Sequence, residues 1–132
     1  MDPTQNRYWP FDVLPPERQT EQHRREIRFL ETAYQAGYKP YMDGFQNFGA
    51  TAGERGGIIL YRGCRGKHWE VLLGTAEETI LSAHVDDFDY AAEAVLRWLR
   101  GVEGAEILEY VRGHLFIDRV TAPGFVLHGQ ER

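Results

Sequence analysis

Cys64 and His68 stand four residues apart, and a thiolate beside an imidazole is what nucleophilic cysteine chemistry requires. The intervening Arg65-Gly66-Lys67 belongs to a glycine-rich hairpin turn, and no third group is evident to orient the imidazole. A lone cysteine in such a place behaves as a small apolar residue. His84-Val85-Asp86-Asp87 puts an imidazole beside two carboxylates at a strand-to-helix junction, where acid–base pairs or hard cations are sometimes held. Helix capping already accounts for the aspartates, and His84 should point away from the inward set Leu81, Ala83 and Val85.

Other chemistries lack their residues. Ser82 is the only serine and lies mid-strand, with no Gly-x-Ser-x-Gly elbow, so serine hydrolase chemistry is excluded. The pairs Glu77-Glu78 and Asp86-Asp87 fall at turns and caps, where solvated charge is the ordinary arrangement, and give no support to a glycosidase. The five histidines are scattered without ligand spacing, so no metal site and no cofactor are expected. The stretch Gly49 to Gly57 is glycine-rich enough to cradle a phosphate, but it leads into a strand and lacks the Lys-Ser or Lys-Thr pair that would follow.

The segment from Tyr38 to Gly56 is the least routine part of the chain, combining Tyr38, Tyr41, Phe45 and Phe48 with several glycines. Two readings apply to it. One is a short strand near Phe45–Phe48 with a turn. The other is an aromatic binding loop, because long structureless loops in compact domains usually carry function. A pocket between this loop and the sheet would draw on Tyr41, Asp43, Arg55 and His84.

The elements that must position these residues follow from periodicity. Residues 1–15 mix Pro3, Pro10 and Pro15 with Tyr8, Trp9, Phe11, Val13 and Leu14, which predicts an irregular arm that packs rather than a solvated tail. A helix is expected over 16–37, opened by Pro16, closed by Gly37, and apolar at Ile27, Leu30, Ala33 and Tyr34. Residues 57–85 read as a three-stranded meander, Gly57–Arg62, His68–Gly74 and Thr79–Val85, in which Trp69, Val71 and Leu73 share one face. A second helix over 86–101 starts at Asp86 or Asp87 and stops at Gly101. Its apolar face comprises Phe88, Ala91, Ala92, Val95, Leu96 and Leu99. Within 105–128, Ala105–Val111 and His114–Val120 flank Arg112-Gly113 as a β-hairpin, with a short final strand at 125–128.

These elements predict one α+β domain over 1–132, a two-layer sandwich in which two helices cover one face of a mostly antiparallel five- or six-stranded sheet. The other face would be left for solvent or an oligomer. The length of 132 residues and the 42% hydrophobic content suffice for such a core. The net charge of −5 argues against nucleic acid as the partner, since phosphate neutralisation needs clustered Lys and Arg. No apolar run reaches membrane-spanning length, the first residues lack the pattern of a signal peptide, and the single cysteine fits a reducing, cytoplasmic setting.

The expected function is therefore a non-catalytic protein-binding domain, an adaptor or inhibitor, with Trp9, Phe11, Tyr41, Phe45 and Phe48 as contact residues because aromatics dominate interface hot spots. The alternatives are a small-molecule-binding protein or enzyme using the Tyr41, Asp43, Arg55 and His84 pocket, and a homo-oligomeric structural protein.

Overall fold

The computed structural model describes residues 20–42, 47–63 and 67–121, with the side chains of 116–121 excepted. The irregular arm, the Cys64 turn, Asp43, Phe45 and the strand expected at 125–128 lie outside the described residues.

Helix α1 spans Glu21–Gln35. Its start is set by Thr20 rather than Pro16: the Thr20 backbone is extended and its Oγ1 accepts from the His23 amide at 3.0 Å, satisfying one of the first-turn donors. It ends as expected, with Gly37 at φ 87°, a conformation that costs glycine nothing. Phe29, Leu30 and Ala33 face the core.

The stretch that could have been a binding loop is instead a hairpin. β1 (Lys39–Met42) pairs antiparallel with β2 (Asn47–Ala52), and β2 turns through Gly53, at φ 62°, into β3 (Arg55–Arg62). β4 (His68–Thr75) and β5 (Thr79–Val85) complete the expected meander, and Trp69, Val71 and Leu73 are buried together with Leu81, Ala83 and Val85. α2 (Phe88–Leu99) begins where expected. Asp87 accepts from the amides of Asp89 and Tyr90, and Gly101 follows the helix at φ 101°.

One expectation is overturned. Residues expected to form the first strand of a C-terminal hairpin form α3 (Gly104–Val111), which runs through a short 3-10 turn at Arg112–His114 into the last strand, β6 (Leu115–Thr121). Strand alternation would put Glu109 on the same face as Ile107 and Val111. The helix instead buries Ile107, Leu108 and Val111 together and leaves Glu109 in solvent. β6 pairs antiparallel with β5, not with a strand at 105–111, because the α2–α3 excursion returns the chain to the end of β5. The Asp86 amide donates to the His114 carbonyl at 2.8 Å at that point.

Among the described residues the sheet has six strands, all paired antiparallel, in the order β1-β2-β3-β4-β5-β6. α2 lies against β3 and β4, α1 against β1 and β2, and α3 against α2 and β5. The core sits between these helices and one face of the sheet. Gly57 marks the closest approach: a Cβ there would stand 2.9 Å from Val95 of α2. The fold is the α+β sandwich the pattern implies, and among the described residues three α-helices rather than two accompany the sheet.

Candidate functional site

Because side chains alternate along a strand, the register fixes what lies on the face away from the helices. β3 contributes Ile58, Leu60 and Arg62, β4 contributes His68, Glu70 and Leu72, and β5 contributes Ile80, Ser82 and His84. Ile58, Leu60, Leu72 and Ile80 are half-buried. They form an apolar strip along the middle of the sheet.

Beside the strip Glu70 gathers polar groups from three strands. Arg62 donates to its Oε1 through Nε and Nη2 at 3.0 and 2.8 Å, Ser82 Oγ donates to its Oε2 at 3.0 Å, and His84 Nε2 stands 3.9 Å from Oε2. The His84 ring is 5.2 Å from that of His68, which is only 2% exposed. Burial pushes the Glu70 carboxyl up, but the hydrogen bonds from Arg62 and Ser82, with the charges of Arg62 and His84, outweigh it and hold the group below the usual glutamate range. Glu70 is thus an ionised anchor. The Ser82 hydroxyl donates to a carboxylate rather than to an imidazole, so this is not the arrangement that activates a serine. Among the described residues no three His, Cys, Asp or Glu side chains are grouped to hold a metal.

At the end of the same face, next to the β2–β3 turn, is an open groove of about 270 Å³. Tyr41, Thr51, Ile58, Leu72 and Thr79 form its walls, and Gly56 leaves its floor bare. Tyr41 lies across Gly49, where a Cβ would stand 2.6 Å from the phenol ring. Glu54 and Glu78, both exposed, also line it.

The expected site residues separate accordingly. Tyr41 lies on the face away from α1 and α2 and lines the groove. Phe48, 3% exposed, is in the core and has no surface to offer a partner. Arg55 borders the groove, but its guanidinium crosses to the helix side, donates to the carbonyls of Trp98 and Val102 at 2.9 Å each, and stacks 3.9 Å over the Trp98 ring. His84 belongs to the Glu70 cluster and not to the groove lining. Tyr41, Arg55 and His84 therefore do not converge. Trp9, Phe11, Phe45 and Asp43 lie outside the described residues.

Arg62, Glu70 and Ser82 escaped the sequence reading. The alternation that put His68 and Glu70 on the outer side of β4 was the available signal, and the missing link was the pairing that sets Glu70 opposite both Leu60 and His84.

A second cluster lies where α2, α3 and β6 meet. Arg97 stacks 3.8 Å over Tyr110, Tyr110 stacks on Tyr90 at 5.0 Å, Tyr90 stacks on His114 at 3.7 Å, and His114 Nδ1 lies 3.1 Å from Asp86. Burial, with Glu93 nearby, pushes the Tyr110 hydroxyl up. The Asp86 carboxylate expected at the junction thus pairs with His114 rather than with His84. This stack ties the start of β6 to both helices.

Compared with protein-family models, curated proteins and solved structures, the chain finds no match. Among the described residues no helix is long and apolar enough to cross a membrane.

Proposed function

We propose that this chain is a non-catalytic protein-binding domain, an adaptor or inhibitor of the cytoplasm, whose contact surface is the sheet face opposite α1 and α2. The observation that carries the reading is the placement of Ile58, Leu60, Leu72 and Ile80 in one strip beside the Arg62–Glu70 pair, on the face opposite α1 and α2. An apolar centre with a polar margin is the composition of a protein interface. The ion pair at its edge supplies register and partner choice more than affinity. The cytoplasmic assignment draws support from the single cysteine.

Catalysis has weaker support. Glu70 is held ionised by Arg62 and Ser82, and the residues with chemical potential are dispersed between the Glu70 cluster, the groove and the His114 stack. Pairing of sheet edges between copies is also disfavoured at β1, which is four residues long and carries Lys39 and Pro40, both ways of blunting an edge.

Affinity capture from the source cytosol tests the reading, with the intact chain and a Leu60→Lys/Leu72→Lys variant as baits. A stoichiometric protein held by the first and lost by the second, with circular dichroism unchanged, is the expected result. Equal capture by both baits would place the contact surface elsewhere. A stable dimer in light scattering that the double variant abolishes would replace the hetero-partner with a second copy.

A further inference from the structure

We infer that the groove beside the β2–β3 turn receives an arginine or lysine side chain of the protein partner. The inference rests on the protein-binding reading and specifies the chemistry of the occupant. Three observations converge on it. The first is charge. Glu54 and Glu78, both exposed, belong to the lining, and among the described residues neither forms an ion pair. The cation that borders the groove, Arg55, is turned through to the opposite side of the sheet and spent on Trp98 and Val102. Among the described residues that line the groove, the side chains left to give it charge are the two glutamates.

The second observation is shape. Gly56 brings no side chain to the groove, and Ile58 and Leu72 in its lining offer an apolar surface to an aliphatic stem. Thr51 and Thr79 belong to the same lining, and a threonine hydroxyl can accept from an ammonium or guanidinium. The third is size. At about 270 Å³ the groove falls below the range of roughly 300–1,000 Å³ typical of small-molecule pockets, and it opens onto the interface strip through Ile58 and Leu72, which the two share. A single long side chain projecting from a docked protein fits those dimensions. Arginine is enriched among interface hot spots, and a chain of net charge −5 favours a basic partner.

The test uses the full chain and a small probe, so it does not depend on the partner. Amide resonances of the isotopically labelled protein are followed during titration with N-acetyl-arginine methylamide, and separately with the neutral N-acetyl-norleucine methylamide. The arginine probe is expected to shift the amides of Thr51, Gly56 and Thr79 selectively, with the neutral probe at least about fivefold weaker. A Glu54→Gln/Glu78→Gln variant, whose exposed substitutions leave the core untouched, should lose the preference. Absence of localised shifts, an equal response to both probes, or a preference that survives in the double variant would each overturn the assignment. Capture through the Leu60–Leu72 strip can persist in all three cases, so failure of the groove and failure of the binding face are separable.

Discussion

The guanidinium of Arg55 lies 3.9 Å from the centroid of the Trp98 ring and donates to the Trp98 and Val102 carbonyls at 2.9 Å each. One side chain on β3 thus ties down the Trp98 carbonyl in the last turn of α2, which also accepts from the Gly101 amide at 3.1 Å, and the Val102 carbonyl just beyond the helix. Trp98 in turn donates from Nε1 to the Gly74 carbonyl at 3.0 Å, which ties α2 to β4. Replacing Arg55 with Leu should cost about 2–3 kcal/mol, combining lost charge-assisted hydrogen bonds with the lost stacking. Lys, a point charge without the fork, should recover only part of it. Urea unfolding at constant m-value measures the difference.

Gly49 and Tyr41 make a second such pair. A Cβ at Gly49 would stand 2.6 Å from the Tyr41 ring and 2.8 Å from the Gly57 carbonyl, and the latter is backbone that cannot swing aside. Gly49→Ala should therefore destabilise the β1–β2–β3 hairpins by about 1–3 kcal/mol. It should also shift the Tyr41 side-chain resonances, because the ring is displaced from the groove.

Two glutamates give opposite responses to pH. Glu70 is held below the usual range by Arg62 and Ser82 despite its burial, so its contribution to stability is present above the unfolded value and is lost as pH falls through the folded one. Glu70→Gln should be less stable than the native chain at neutral pH, and the gap should close in acid.

Glu26 on α1 runs the other way. Burial raises it more than the Gln22 hydrogen bond and the Lys67 charge lower it, so ionising it costs the folded state. Glu26→Gln should be the more stable protein at neutral pH, with the advantage shrinking as pH falls through the carboxylate range. His23, one turn earlier and 3.9 Å away, is lowered by burial. Its protonation therefore adds an acid-side penalty that begins at or below the ordinary histidine value. Thermal unfolding of both glutamine variants across pH separates the three contributions.

Ile107 tests the element that the sequence pattern misassigned. It is fully buried on α3, so Ile107→Ala should cost about 2–5 kcal/mol. Glu109→Ala, one residue short of the next turn and exposed, should cost little. In a strand the two positions would share a face and respond alike.

The strongly patterned parts of the fold were legible. Asp87 as cap, Gly37 and Gly101 as stops, and the alternation around Trp69 and Leu81 each combine a local signal with burial. What was not legible had weak local signals. α3 begins at Gly104, the Glu103 side chain before it makes no capping hydrogen bond, and the helix is eight residues of mostly apolar sequence, so its period could be read as either two or three to four. β2, Asn-Phe-Gly-Ala-Thr-Ala, is built of small residues that show little alternation until Phe48 and Ala50 are seen under α1 and α2. The Glu70 cluster was hidden for another reason. Its members come from three strands, and only the pairing register brings Arg62, Ser82 and His84 to one carboxylate. Arg55 reads as a free cation in the sequence because nothing local shows that its partners lie 43 and 47 residues away.

The most direct test of the binding face is hydroxyl-radical footprinting of the chain alone and with its captured partner. Oxidation of Ile58, Leu60, Leu72 and Ile80 should fall on complex formation, while Tyr90 and Tyr110 on the helix side should be unchanged. Protection of the tyrosines with no change along the apolar strip would contradict the account.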